Sequence, residues 1–77
     1  MVLFSFTASH NGDVASIIQN SASTPYGIDS KFNSAAPDNT TSWFYNASDS
    51  SATRFRVYSD GDVVNHDNSY GALSDER

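Results

Sequence analysis

The chain has 77 residues and a net charge of −5, with four Lys or Arg against nine Asp or Glu, and it contains no cysteine. Leu, Ile, Val and Phe together number fifteen, which is near the composition at which chains remain disordered. This composition excludes disulfides, and it argues against nucleic acid as a partner because no basic stripe could follow a phosphate backbone.

A chain this short buries little surface alone, and the usual remedies are disulfides, a metal or oligomerisation. His10 and His66 are the only histidines and do not sit in a ligand cluster, so no metal and no cofactor are expected. No run approaches the length of a membrane span, and the residues after Met1 lack the features of a signal peptide. We therefore expect a self-associating chain without membrane insertion, and we interpret it as a fragment of a longer protein.

Short apolar or aromatic runs separated by turn residues predict an all-β fold with little or no helix. In chain order, the predicted strands are Val2 to Thr7, Val14 to Asn20, Tyr26 to Phe32, Ser42 to Tyr45, Thr53 to Tyr58 and Asp62 to Asn65. Small polar clusters follow the runs at positions 7, 20, 33, 46 and 59, each thirteen after the last. This interval indicates a repeated unit of strand and turn.

Turn residues of known chemistry separate the predicted strands, since Gly, Asn and Asp tolerate positive φ and Pro fixes its own. They lie at Asn11-Gly12, Pro25-Tyr26-Gly27, Pro37-Asp38-Asn39 and Asp60-Gly61.

Alternation along the strands assigns side chains to faces. Phe55 and Val57 share one face, whereas Arg54, Arg56 and Tyr58 share the other. One chain alone could not cover its inward residues, but three chains about one axis could. The residues expected to be buried between copies are Phe4, Phe6, Ile18, Ile28, Phe32, Phe44, Phe55, Val57 and Val63.

Aromatic and planar polar side chains make a candidate sugar-binding site, since sugars are held by aromatic faces and hydrogen-bonding groups. The candidate residues are Trp43, Tyr45, Arg56 and Tyr58, with Asn46 and Asp49 nearby. Trp43 and Tyr45 are predicted to share a face, opposite Phe44. The alternative is that these exposed aromatics only cover the surface of the assembly.

Other chemistry is less favoured by the sequence. The sequence favours a role in turns over calcium binding for Asp60, Asp62, Asp67 and Asn65, because the twelve-residue loop with its closing glutamate is absent. Glycoside hydrolysis needs two carboxylates across a cleft, and Asp29, Asp38 and Asp49 are scattered.

The last third of the chain carries a specific ordered string of residues. Arg54 to Val57, Ser59 to Val63, Asn65 and Ser69 to Arg77 fit the pattern R-F-x-V-x-S-x-G-D-V-x-N followed by S-Y-G-A-[ILV]-S-D-x-R. This string resembles the junction, in bacteriophage tail fibres and tailspikes, between a trimeric β-structured shaft and a self-cleaving C-terminal intramolecular chaperone of the endosialidase type. The rest of the chain is similar to that family only in its short strand-like runs separated by small polar clusters.

The resemblance implies a homotrimer with an intertwined triple-stranded β-helix or β-prism shaft over residues 1–67 and a chaperone junction over 68–77. It implies cleavage between Ser74 and Asp75, with Ser74 as nucleophile. The chain stops at Arg77, before the chaperone that the resemblance implies, so we expect no cleavage activity from it.

The functional expectation is host-cell attachment by a phage tail fibre in the virion, assembled in the bacterial cytoplasm, with a bacterial surface polysaccharide or receptor as partner. We expect this segment not to be an enzyme, although the full protein could be a glycan depolymerase. The first alternative is a stalk or auxiliary polysaccharide-binding module of an endosialidase-like tailspike. The second is a non-phage protein with the same junction, such as a membrane-tethered transcription factor, against which the missing basic region argues.

Overall fold

The computed structural model describes residues 3–69 and 71, and the ordered part is one small antiparallel sheet. Strand β1 spans Trp43–Ser48, β2 spans Thr53–Tyr58 and β3 spans Val63–Asn65, in the order β1-β2-β3. The described residues contain no helix. The all-β prediction is confirmed at this level.

The turn between β2 and β3 is closed by backbone hydrogen bonds around a glycine. The Gly61 amide donates to the Tyr58 carbonyl at 3.0 Å, and the Tyr58 amide donates to the Asp62 carbonyl at 2.9 Å. Gly61 has φ 94°, the left-handed geometry of a three-residue hairpin loop. The predicted turn at Asp60-Gly61 is therefore present, and it sets the register that pairs Val57 with Val63.

The turn between β1 and β2 is organised by the side chain of Asp49. Its Oδ1 accepts the amides of Ser51 at 2.8 Å and Ala52 at 3.0 Å, and the Asp49 amide donates to the Ala52 carbonyl at 3.0 Å. A carboxylate that accepts downstream amides in this way mimics a backbone turn. The side chain thus closes the loop that brings β1 beside β2.

A bulge in β1 changes which face its residues occupy. Trp43 pairs with Tyr58 but Tyr45 pairs with Val57, so Phe44 is an extra residue in the ladder. Adjacent residues of β2 point to opposite faces. Trp43 and Tyr45 therefore lie on opposite faces, and the prediction that they share one is wrong.

The single chain does not form the strands predicted in its first half. No strand forms over the described residues 3–7, nor over 14–20 or 26–32; Val2, the first residue of the first predicted strand, lies outside the described residues. The hydrogen bonds of this half are largely local, such as the Ser21 amide to Gln19 Oε1 at 3.0 Å. An extended segment becomes a strand only when a second segment accepts and donates its backbone hydrogen bonds, and this single chain supplies none.

The residues that the structure describes form no hydrophobic core of their own. None of the described residues is buried. The accessible surface is 7207 Å², against about 4,600 Å² for a compact monomer of this mass. The radius of gyration is 15.7 Å, against about 11.5 Å for a compact domain of this length. The exposed large apolar side chains include Leu3, Phe4, Phe6, Val14, Ile17, Ile18, Tyr26 and Ile28.

We expect Gly61→Ala to weaken the β2–β3 hairpin by about 1–2 kcal/mol, because an L residue at positive φ is strained. Hydrogen exchange of the Tyr58 amide, whose protection depends on this turn, measures the effect. Gly27→Ala is the matched control, since a Cβ at either position meets no atom within 4 Å and only Gly61 has positive φ. Equal exchange in the two variants would contradict the assignment of this turn.

Candidate ligand-binding face of the sheet

One face of the sheet collects an arginine, two aromatic rings and an amide. Cross-strand pairing sets Trp43 opposite Tyr58, Asn46 opposite Arg56, and Arg56 opposite Val64. Side chains of directly opposed residues lie on the same side of a sheet. We call these five residues the arginine face.

Arg56 is held between the aromatic rings of this face. Its Cζ lies 4.1 Å from the ring centroid of Trp43 and 5.6 Å from that of Tyr58. Its Nε donates to Asn46 Oδ1 at 2.9 Å. Cation–π attraction to a face such as Trp43 contributes about 0.5–1 kcal/mol at exposed sites. The guanidinium is therefore fixed in position rather than free to swing in solvent.

The charge of Arg56 has no carboxylate partner among the residues that the structure describes. The ion pairs found there are Arg54 with Asp49 and His66 with Asp67. Asn46 satisfies only Nε, and the Nη groups have no hydrogen-bond partner in the described part of the chain. A positioned guanidinium fork with free donors suits a planar oxyanion or a pair of hydroxyls on a ligand.

The four predicted binding residues are only partly brought together. Trp43, Arg56 and Tyr58 share the arginine face. Tyr45 lies on the opposite face, with its ring 6.0 Å from that of Phe55 in an edge contact. Arg56 also covers one face of the Trp43 ring, so a sugar could not stack there without displacing it. Trp43 therefore positions Arg56, and the guanidinium offers the free donors.

A shallow groove lies beside the sheet, where sequence analysis placed no site. Phe32 stacks on Phe44 with ring centroids 4.7 Å apart and an interplanar angle of 15°. The groove has a volume of about 500 Å³, and Lys31, Pro37 and Asp38 also line it. The sequence offered no signal for this pairing, because Phe44 reaches Phe32 from the bulge position in β1.

A second polar cluster lies at the end of the hairpins, around Arg54. Its Nε donates to Asp49 Oδ2 at 2.8 Å, and its Nη1 lies 3.2 Å from His66 Nδ1. The hydrogen bond from Arg54, followed by those from the Ser51 and Ala52 amides, holds the pKa of Asp49 below its ordinary value. The hydrogen bond and positive charge of His66 lower the pKa of Asp67.

Two of the four side chains considered for calcium, Asp60 and Asn65, accept backbone amides in turns, and a third, Asp67, pairs with His66. Asp60 Oδ1 accepts the Asp62 amide at 2.9 Å, and Asn65 Oδ1 accepts the Ser69 amide at 2.9 Å. Across residues 3–69 and 71, no group of three or more His, Cys, Asp or Glu side chains could hold a metal ion. In the same residues, no helix has the length and apolar character to cross a membrane.

Ser74 and Asp75, the predicted cleavage pair, lie outside the described residues. Comparisons with protein-family models, with curated proteins and with solved structures each gave no match.

We expect the β1–β2 hairpin to lose order in acid through Asp49. Its folded pKa is lowered, so the stabilisation is present above the unfolded pKa and is lost as the pH falls through the folded value, below about pH 4. Amide chemical shifts of Ser51 and Ala52, followed by NMR, measure this loss. The change should be small, because exposed ion pairs contribute little.

Asp49→Asn keeps the Oδ1 acceptor of the turn but removes the carboxylate. The amide chemical shifts of Ser51 and Ala52 should therefore no longer change below about pH 4. Asp13→Asn is the matched control, because it removes one carboxylate outside the sheet. An acid transition that persists in Asp49→Asn would show that another group controls the hairpin.

Proposed function

We propose that this chain is the C-terminal part of the shaft of a bacteriophage tail fibre, which works as a homotrimer in attachment to the host cell. The observation that carries the proposal is the ordered string from Arg54 to Arg77, which resembles the shaft–chaperone junction of that family. Two of the three strands fall in the first half of this string, since β2, apart from Thr53, and β3 lie there.

Surface exposure supports the oligomeric part of the proposal. Leu3 is 93% exposed and Ile18 is 77% exposed, and burying apolar surface contributes about 25 cal/mol per Å². No cysteine is present to stabilise a coreless chain by another route. This composition allows the exposed apolar side chains to be buried against further copies of the chain. A triple-stranded β-helix or β-prism would also pair the strand edges.

The arginine face supports the attachment part of the proposal. It presents the fixed guanidinium of Arg56 between two aromatic rings, and threefold repetition would turn three weak sites into useful avidity. The partner is a bacterial surface polysaccharide or receptor. The same face would serve equally in an auxiliary polysaccharide-binding module of a depolymerase tailspike, which is the second candidate function.

Sedimentation at micromolar concentration should give about three times the 8.3 kDa mass of the chain. Phe55→Ala should weaken the trimer strongly. Each copy would contain a cavity that lowers the stability by on the order of 3–5 kcal/mol. Val64→Ala, on the arginine face, is the matched control and should leave the mass unchanged. A well-folded monomer of the wild-type chain would contradict the trimer.

Arg56→Gln should reduce binding to host polysaccharide by about tenfold or more, because a hydrogen bond from a charged group is lost. Titration of the polysaccharide against the trimer measures this. Arg54→Gln is the matched control: it removes the same charge from a residue whose partner is Asp49. The trimer mass is checked in both variants, and a wild-type trimer that binds neither polysaccharide nor whole host cells would exclude an attachment role for this segment.

Extension of the chain through a chaperone of this family should restore cleavage between Ser74 and Asp75. Mass spectrometry should then show a product that ends at Ser74, and Ser74→Ala should abolish it, because an alcohol nucleophile is replaced by a methyl group. A folded, extended wild-type protein that stays uncut would remove the main support for the family resemblance.

A further inference from the structure

The dipeptide Asn11-Gly12 lies in an exposed bend of the first half of the chain. Neither the Asn11 side chain nor the Gly12 amide forms a hydrogen bond with any residue that the structure describes. Both groups are therefore free to move relative to each other. This freedom matters because the Asn side-chain carbonyl carbon is an electrophile one residue away from a backbone nitrogen.

The glycine removes the steric barrier to reaction between these groups. With no Cβ, Gly12 allows the backbone to adopt conformations that other residues disfavour, including those that bring its nitrogen to Cγ of Asn11. Asn11 is also the one asparagine of the seven in the chain that precedes a glycine.

His10 places an imidazole beside Gly12. A methyl group built on Gly12 would lie 2.9 Å from Nδ1 of His10 and 3.0 Å from its Cε1. The ring therefore lies against the backbone of Gly12. A neutral imidazole nitrogen at such a place can accept the proton that an attacking amide must lose.

We propose that Asn11 is a site of spontaneous modification, converted to aspartate and isoaspartate with His10 as the base. The Gly12 nitrogen bonds to Cγ of Asn11 and gives its proton to His10 Nδ1. The bond from Cγ to Nδ2 breaks, and ammonia leaves after taking that proton back. Water then opens the resulting succinimide at either carbonyl, which gives aspartate or isoaspartate and involves no oxidant or reductant.

Several other asparagines are restrained against the same reaction. Asn46 lies in β1, and its Oδ1 accepts from Arg56 Nε at 2.9 Å. Asn39 Oδ1 accepts the amides of Thr41 at 3.1 Å and Ser42 at 2.9 Å. A side-chain oxygen held in this way cannot turn its carbon toward the next backbone nitrogen without breaking those bonds. Asn11 therefore combines a side chain without such bonds and a following glycine, which neither Asn39 nor Asn46 does.

Modification at Asn11 has two physical consequences. It adds one negative charge to a chain whose net charge is −5. Its isoaspartate form also inserts a methylene into the backbone, which lengthens the main chain at this position by one carbon atom. The reaction would act as an irreversible marker of the age of the protein.

The full chain is incubated at neutral pH, and fragment masses are followed with time, together with methyl transfer by an isoaspartyl methyltransferase. We expect a gain of about one mass unit that localises to Asn11 well before any other asparagine, with isoaspartate at the same residue. Gly12→Ala should slow it, since a Cβ restricts the backbone and displaces His10. Absence of modification, or equal modification at Asn39 and Asn46, would overturn the proposal.

The role of His10 is tested with His10→Gln, which keeps a polar side chain of similar reach but provides no base. We expect slower formation of succinimide at Asn11 in this variant. His66→Gln, the matched control, removes the other histidine and should leave the rate at Asn11 unchanged. Equal rates in wild type and His10→Gln would overturn the assignment of His10 as base.

Discussion

Strand pairing in this chain depends on two short turns, because no side chain among the described residues is buried and no core holds the sheet together. Asp49 closes the first turn through its carboxylate, and Gly61 closes the second through its positive φ. Loops this short have a low entropic cost of closure. The backbone ladder of β1, β2 and β3 forms because its ends are already close, and the apolar side chains add little in the single chain.

The same reasoning explains which strands the sequence could predict. The bounds predicted for β2 agree with the structure at Thr53–Tyr58, and the turn that follows it is visible in Asp60-Gly61. The three strands predicted before residue 33 do not form. A run such as Tyr26 to Phe32 shows that residues suit a strand, but it does not show which segment accepts their hydrogen bonds. Pairing within one chain and pairing between chains leave the same pattern in the sequence.

The candidate site was predictable in composition but only partly in geometry. Alternation correctly placed Arg56 and Tyr58 together, since β2 is regular in that stretch. It failed for β1, where Phe44 is inserted as an extra residue and reverses the side of everything before it. Trp43 consequently meets Arg56, and Tyr45 meets Phe55. No residue in β1 marks this bulge in the sequence, and Phe44, the extra residue, stacks on the distant Phe32 ring.

The bulge also separates the two faces of the sheet by chemistry. The arginine face carries a fixed cation, an amide and two aromatic rings with polar tips, whereas the other face carries Tyr45, Phe55 and Val57. If Phe44 instead paired with Tyr58 in a regular ladder, Trp43 would lie on the apolar side and Arg56 would lose the ring beneath it. In the trimer that we propose, the apolar face suits contact with other copies and the arginine face suits contact with the host. One inserted residue thus gives the two faces of a thin sheet different chemistry, which the proposed trimer would use for assembly on one side and recognition on the other.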